Sequence, residues 1–586
     1  MPNNIKRKYT RRKSPTETTE ATAPVKVTVK HKRSKSKNKL KIIPLGGLHE
    51  IGKNMTLFQY GNDIIIVDCG MSFPSDELLG VDLVIPDMSF LESNREHIRG
   101  MVLTHGHEDH IGAIPFALQK MDIPIYGTRL TLGILGRKLE EHDLPFEPQL
   151  NTVNAGETVE LGCFSVEFIH TTHSIADAVA LCIDTPVGKI LHTGDFKVDY
   201  TPIDSAPIDL SRIAALGNEG VLMLMSDSTN ADRPGFTESE KLVGQTFRNM
   251  FGQAKGRIIV ASFASNVHRM QQVIDSAESL GRKLCVCGRS MENVLNVATE
   301  LGYITIKPDT LVDLSMISNI PDDKLVILTT GSQGEPMSAL TRISLGQHKK
   351  VTLKPDDTVI ISANPIPGNE RMVINVINSL VSGGCTVKYN AEEDIHVSGH
   401  ARQEELKLML ALTKPRYFMP VHGEIKHLTA HAKLAESLGI PKENIQILKN
   451  GLILELREDL CQVNGNVQSG NVFVDGTGVG DVGKSVIEDR RRLSEDGLIS
   501  VAITIDGATG QMIAGPEIVS RGFIYEKEAG NTMDYLRDVV LDACDNVNYS
   551  RRDPNLYRSA IRDAISGRIY EMCKRRPMIV CIVMEL

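Results

Sequence analysis

The stretch Thr104-His105-Gly106-His107-Glu108-Asp109-His110 constrains this chain more than any other. It puts three imidazoles and the Asp109 carboxylate within six residues, directly after the apolar run Met101-Val102-Leu103. Such a run reads as a buried strand. Side chains two apart in an extended segment face the same side, so His105 and His107 aim at one point. Asp109 and His110 fall where the chain turns, and face a second point nearby. Imidazole with carboxylate is the ligand set of zinc or manganese, and one carboxylate among neutral imidazoles suits a catalytic site better than a structural one. A solvated, histidine-rich loop is the plainer alternative. It is set aside because the rest of the chain supplies the missing ligands.

A chain of 586 residues has room for about two to four domains. No apolar run approaches the ~18–20 residues of a membrane helix, and the N-terminus lacks the apolar core of a secretory signal. Ten scattered cysteines, only Cys285 and Cys287 closely spaced, predict reduced thiols in a cytoplasm. Residues 1–40 hold 13 Lys/Arg against 2 Glu, a net of +11 in a chain of −8, which leaves −19 on the remainder. This tail, rich in Lys, Ser and Thr, is expected to be disordered. It fits either a tethering arm for nucleic acid or a solubilising extension. The acidic body requires any nucleic acid to enter a local basic cleft rather than a broad basic face.

Order is expected from about Leu40. Strands over 42–45, 55–60 and 63–67 form a meander that ends at Asp68, a carboxylate aimed toward the later histidine loop. A short strand or turn at 83–85, a helix over 90–98 and a helix over 111–120 bracket the motif. Strands and helices then alternate to residue 193. Two strand ends carry chemistry: Thr171-Thr172-His173-Ser174 and Thr193-Gly194-Asp195-Phe196-Lys197. Either alone is ordinary; with the 105–110 cluster they become the expected fourth and bridging ligands. The apolar strand from Val221 ends in Ser226-Asp227-Ser228, and a helix is expected over 238–254.

From about 256 to 390 a separate alternation implies a parallel, doubly wound sheet. Its strand-end loops, Ser262–Asn266, Gly331–Pro336 and Ser362–Pro365, are rich in small polar residues, and such loops are where ligands bind. Ile395-His396-Val397-Ser398-Gly399-His400-Ala401 follows, and then Pro420-Val421-His422-Gly423-Glu424 between a strand and a helix. After about 460 come a Gly-rich linker, strands near 498–505 and 512–519, two amphipathic helices and a closing strand.

The order Asp68, His105-x-His107-x-Asp109-His110, His173, Asp195 resembles the metallo-β-lactamase superfamily. Asp227, His400 and His422 resemble the three extra motifs of its β-CASP branch. The strings Pro-Val-His-Gly-Glu, His-Val-Ser-Gly-His-Ala and Gly-Ser-Gln-Gly-Glu-Pro resemble the bacterial ribonuclease J family over roughly 40–586. The resemblance implies an α/β fold: an αββα sandwich over 41–250 and 391–460, a β-CASP insertion over 251–390, a linker over 461–484 and a small C-terminal α/β domain over 485–586.

Two divalent ions are expected, zinc first, with manganese or magnesium as alternatives. His105, His107 and His173 would hold one; Asp109, His110 and His422 the other; Asp195 would bridge them. Asp109 and Asp195 therefore count as catalytic residues as well. Two such ions activate water and clamp a phosphodiester for in-line attack. Asp68 would orient a ligand histidine from behind. Asp227 would do likewise or assist proton transfer. His400 would contact the scissile phosphate or protonate the leaving oxygen. The resemblance places His396, Val397, Ser398, Gly399 and His400 on the RNA backbone, with a packed core histidine the alternative for His396.

It also implies 5′-to-3′ exonuclease and endonuclease action on single-stranded RNA in mRNA decay and rRNA maturation, with a 5′-monophosphate preferred. Ser265, Asn266, Arg269, Ser332 and Gln333 are the candidates for the monophosphate pocket. A homodimer or homotetramer, attached to other RNA-decay proteins, is the expected assembly. A thioesterase or β-lactam hydrolase on the same fold, and a non-catalytic partner, are the competing readings.

Overall fold

The computed structural model describes residues 38–586, except 76, 204–205, 336, 367–368, 390–393, 524–528 and 548–552. The basic tail expected over 1–40 lies outside the described residues apart from its last three.

Alternating apolar positions in the N-terminal meander give each strand two useful faces. Leu40–Gly46, Met55–Tyr60 and Asp63–Val67 pair antiparallel, and Ile98–Val102 adds in parallel. They form the centre of an eight-stranded sheet completed by Ile125–Gly127, Leu150–Thr152, Leu452–Arg457 and Leu460–Asn466. A second sheet runs in the order Tyr417–Val421, Val221–Asp227, Gly188–His192, Val179–Thr185, Phe164–His170, Thr158–Leu161. The two pack face to face through Phe58, Ile65 and Val67 on one side and Phe164, Phe168, Leu181, Met223 and Met419 on the other. Each such buried side chain contributes on the order of 1.5–3 kcal/mol.

The outer faces are covered by helices. Ile114, Leu118, Leu130 and Leu135 pack with Ile64, Ile66 and Met101. Ile213, Leu216, Leu406 and Leu410 pack with Leu191, Leu224 and Phe418. The result is a four-layer αββα sandwich.

Between the strands Val221–Asp227 and Tyr417–Val421, neighbours in space, the chain makes its insertion. Five parallel strands run in the order Lys283–Cys287, Leu325–Thr329, Ile258–Ala261, Thr358–Ile361, Thr386–Lys388. The loops after Ala261 and Ile361 leave neighbouring strands at their carboxyl ends. The insertion shares a continuous core with the first sheet's outer layer, which includes Phe247, Val260 and Leu295.

Several expectations shift. The helix expected over 90–98 is a short helix, Ser89–Ser93, with a 3-10 turn at Arg95–His97, and the strand begins already at Ile98. The helix expected from Ile111 begins at Glu108, inside the histidine motif, and breaks before a second helix at Ile114–Leu118. Residues 461–484 are not a bare linker. Leu460–Asn466 closes the edge of the first sheet, and Asn471–Asp475 pairs with Leu83–Pro86, whose backbone groups need a partner. The helix Leu210–Glu219 and the strand Leu150–Thr152 were not anticipated. The C-terminal region pairs Leu498–Ile505 with Met512–Arg521 and Met578–Glu585 under two helices, Ala529–Asp545 and Asn555–Cys573.

Candidate metal centre

Six strands deliver the site, all at their carboxyl ends. Asp63–Val67 is followed by Asp68 and Ile98–Val102 by the histidine motif. Phe164–His170 leads to His173 and Gly188–His192 to Asp195. Val221–Asp227 ends in Asp227, and Tyr417–Val421 is followed by His422. Asp68 and His422 take positive φ angles of 59° and 52°, uncommon for residues other than glycine and a form of strain found at functional sites. Gly194 (φ 56°) makes the turn before Asp195, where an added Cβ would lie 2.9 Å from the Val179 carbonyl oxygen.

Two clusters form around Asp195. In the first, His107 Nδ1 lies 3.0 Å from His105 Nε2 and 3.2 Å from His173 Nε2. His107 is extended (φ −75°, ψ 153°) and caps the short helix. His105 and His107 therefore converge, across bends at Thr104 and Gly106 rather than along an extended strand, while Asp109 and His110, on the first helical turn, diverge to the second cluster. There His422 Nε2 is 3.3 Å from Asp109 Oδ2, and His110 Nε2 is 3.2 Å from Asp195 Oδ2. Asp195 also accepts from His422 Nδ1 at 2.8 Å, and its Oδ2 lies 3.7 and 3.8 Å from His105 and His173 Nε2. It stands between the clusters.

Burial sets the charges. His105 and His173 are pushed well below the ordinary histidine range and His107 to about 4 by burial, so these imidazoles are neutral. That is the state a metal ligand needs. In the second cluster burial opposes charge on the histidines, but the carboxylates win. Asp195, Asp109 and Asp68 hold His110 well above its usual value, and Asp195 and Asp109 raise His422 to about 10. Asp109 and Asp195 are correspondingly held low. This cluster calls for positive charge. His422 Nε2 is buried and makes no well-aligned hydrogen bond. Neutral imidazoles converging on one point, beside a carboxylate-rich pocket with that nitrogen facing in, fit two divalent cations.

The surroundings fix these rings. Asp68 Oδ2 accepts from His110 Nδ1 at 2.7 Å and from Thr104 Oγ1 at 2.8 Å, while Oδ1 accepts the Thr104 N–H at 2.8 Å. His173 Nδ1 donates to the Gly399 carbonyl at 2.7 Å, which turns Nε2 into the cluster. A Cβ on Gly399 would lie 2.6 Å from His173 Cε1, so that approach requires glycine. His400 Nδ1 pairs with Asp227 Oδ2 at 2.8 Å, and Asp227 raises the His400 pKa against the effect of burial. The His400 side chain is 20% exposed and Asp109 29%, against 0–3% for His105, His110, His173, Asp195 and His422. The mouth of the site therefore opens beside His400 and Asp109.

The polar loops of the insertion come out differently. Asn266 is buried and caps the helix Val267–Ser279 by accepting the Arg269 N–H. Arg269 is fully buried, and its guanidinium donates to Glu240, Ser362 and the Ile395 carbonyl rather than facing an anion pocket. Gln333 is buried and braces Ile366 and Asn364. Ser332 is buried, and Ser265 is partly buried. His396 is partly buried, with a buried Nδ1 lacking a partner, and burial beside Arg269 lowers it to about 3. Val397 is packed in the core, and Ser398 accepts from Asn230 Nδ2 at 2.8 Å.

Residues that the sequence did not single out also shape the site. Asn54 Nδ2 lies 3.1 Å from His110 Nε2, and the Asn54 N–H donates to the Asp109 carbonyl. Asn230 and Thr237 both donate to the His400 carbonyl. None of these carried a local signal, since each partner is distant in the chain.

Comparison with known proteins places each region. Residues 50–221 match the metallo-beta-lactamase superfamily, and 255–380 the ribonuclease J beta-CASP domain. Residues 386–447 match the Zn-dependent metallo-hydrolase RNA specificity domain, and 485–586 the ribonuclease J C-terminal domain. The chain is 46% identical to ribonuclease J 1 of Streptococcus pyogenes serotype M3 over 549 residues, 93% of this chain and 98% of that protein. It is 50% identical to ribonuclease J of Synechocystis over 487 residues (83% and 76%), and 43% identical to that of Thermus thermophilus over 553 (93% and 95%). A crystal structure of a protein of unknown function from Enterococcus faecalis V583 shares the fold, with TM-score 0.50 and 17% identity over 71% of this chain and 100% of that one. The chain belongs to the ribonuclease J family, on the β-CASP branch of the metallo-β-lactamase superfamily.

Proposed function

We propose that this chain is a metal-dependent ribonuclease that degrades single-stranded RNA from a 5′-monophosphate end and also cuts internally, in mRNA decay and rRNA maturation. The observation that carries the reading is the pair of clusters on either side of Asp195, opening beside His400. His105, His107 and His173 would hold one divalent ion, and Asp109, His110 and His422 the other, with Asp195 between; zinc is the leading choice, manganese and magnesium the alternatives. When bound, such ions supply a nucleophile at neutral pH and neutralise phosphodiester charge.

The chain's own residues do the rest. Asp68 holds His110 with its Nδ1 proton turned inward, away from the site. The Gly399 carbonyl does the same for His173. Asp227 holds a proton on His400 Nδ1, so His400 can contact the scissile phosphate or deliver a proton to the leaving oxygen. The backbone and Ser398 of the 396–400 segment would run along the RNA. Of the five candidates for the monophosphate pocket, Arg269, Asn266 and Gln333 are engaged in packing and Ser332 is buried, which leaves Ser265 as the partly exposed one.

Among the described residues no helix is long and apolar enough to cross a membrane. Val580, Ile582 and Met584 are exposed on the closing strand, which supports self-association as a dimer or tetramer. The proposed setting is the cytoplasm, with other RNA-decay proteins as partners.

Given excess divalent metal, the purified chain is expected to cut single-stranded RNA and to leave a thioester and nitrocefin intact. Hydrolysis of either of those with RNA untouched overturns the ribonuclease reading.

A further inference from the structure

Behind the metal centre, where the insertion meets the segment leading to His400, lies a run of buried charges. Arg269, Glu240, Lys197 and Asp199 are all 3% exposed or less. Buried ions are costly unless well paired, and one attested use of such groups is to fix a single arrangement. Arg269 joins three elements. Its Nε donates to Glu240 Oε1 at 2.9 Å, and its Nη1 donates to the Ser362 carbonyl at 3.2 Å and the Ile395 carbonyl at 3.0 Å. Ser362 Oγ donates to the same Ile395 carbonyl at 2.5 Å.

On its other side, Glu240 Oε2 lies 3.9 Å from Lys197 Nζ, and the Glu240 N–H donates to Asp199. The Lys197 backbone is bonded in both directions to Thr172, at 2.8 and 2.7 Å. Lys197 is two residues from Asp195, and Thr172 is next to His173. An unbroken chain of contacts thus runs from the Asp195 and His173 loops to Ile395. From Ile395 the backbone leads to Gly399, on His173, and to His400.

The two ends of this segment are held by different bodies. The Gly399 and His400 carbonyls are fixed by His173, Asn230 and Thr237 of the sandwich. The Ile395 carbonyl is held by Arg269 and Ser362, both of the insertion. A group displaced by about 1 Å from its productive position costs up to about 100-fold in rate.

We propose that Arg269 is a positioning residue: through Glu240, Lys197 and the Ile395 carbonyl it sets where the 395–400 segment stands over the metal centre, and so couples the seating of the inserted domain to cleavage. The activity readout rests on the ribonuclease reading above; the exchange readout does not.

The test compares the full chain with Arg269→Met, Ser362→Ala, His400→Ala and Arg269→Met/His400→Ala. In hydrogen exchange, both single changes at the Ile395 carbonyl are expected to speed the amides of residues 396–400 while those of Tyr417–Val421 stay unchanged. In RNA cleavage, Arg269→Met is expected to lower kcat about 10- to 100-fold, and to add little once His400 is already Ala. Ser362→Ala, an uncharged change, carries the test if Arg269→Met does not fold. Unchanged exchange at 396–400 overturns the proposal whether or not the parent cuts RNA. Full multiplication of the two cleavage defects overturns it while leaving the ribonuclease reading in place.

Discussion

Asp68→Asn offers a sharp test of the second cluster, because it alters one oxygen and almost no volume. Asp68 is buried at φ 59°, a conformation that Asn also tolerates, so the backbone is kept. The Thr104 N–H requires an acceptor, which keeps the Asn carbonyl oxygen in the place of Oδ1. The amide nitrogen then replaces Oδ2, 2.7 Å from His110 Nδ1. A carboxylate only accepts, so in the parent His110 carries its proton on Nδ1. An amide nitrogen only donates, so in the variant Nδ1 must accept and the neutral ring carries its proton on Nε2, the nitrogen 3.2 Å from Asp195. The second site thereby loses a lone pair.

Loss of such an orienting partner typically weakens metal binding about 10- to 100-fold, or ~1.4–2.7 kcal/mol. Metal titration against a competing chelator should show two tight ions in the parent, and one tight and one weakened ion in the variant. RNA cleavage should be lost at limiting metal and recover in excess metal. Two ions bound with parental affinity by Asp68→Asn would refute this account of His110.

Three further outcomes are expected. His107→Ala should abolish cutting, by more than about 100-fold, while RNA binding measured by a mobility shift is kept; persistent cutting means that the cluster is assigned wrongly. Gly399→Ala would put a Cβ 2.6 Å from His173 Cε1 and 2.7 Å from Ser174 Oγ, an overpacking worth about 1–3 kcal/mol. Its rate should fall with the fold intact by circular dichroism, and a parental rate contradicts the close approach. His431, whose Nδ1 lies 3.0 Å from Ser228 Oγ, is lowered to about 3 by burial. The unfolded chain, near 6.5, takes that proton first, so this contribution to stability is full above pH 6.5 and lost as pH falls, by about 2 kcal/mol at pH 5. His431→Gln removes it, so urea unfolding at pH 7.5 and pH 5 should show the parent's lead over the variant shrinking by that amount; a constant gap rules His431 out.

The sequence was most legible where candidate ligands sit at strand ends. Asp68, the 105–110 motif, His173, Asp195, Asp227 and His422 each follow or end an apolar run, and the structure gathers them at one edge of the sandwich. Period and turn chemistry also recovered the parallel sheet of the insertion. The part that was not legible depends on contacts between distant residues. Arg269 looked like a free cation on a polar loop because nothing local shows that Glu240, 29 residues earlier, and the Ile395 carbonyl, 126 residues later, enclose it. Asn266 looked like a ligand donor and is a helix cap. Residues 461–484 looked like a linker because the strand that pairs with them, Leu83–Pro86, lies almost 400 positions away. The helix at Glu108 was missed because His107 stands at its N-cap without a side-chain cap bond, so no capping residue marks the start.

The 5′-end chemistry of the metal centre is tested with one RNA sequence, labelled at its 3′ end and carrying either a 5′-monophosphate or a 5′-triphosphate, with and without chelator. Rapid, chelator-sensitive loss from the 5′ end of the monophosphate RNA and slow attack on the triphosphate are expected. Equal internal cutting of both would contradict the 5′-end claim, and no cutting of either with metal present would contradict the enzyme itself.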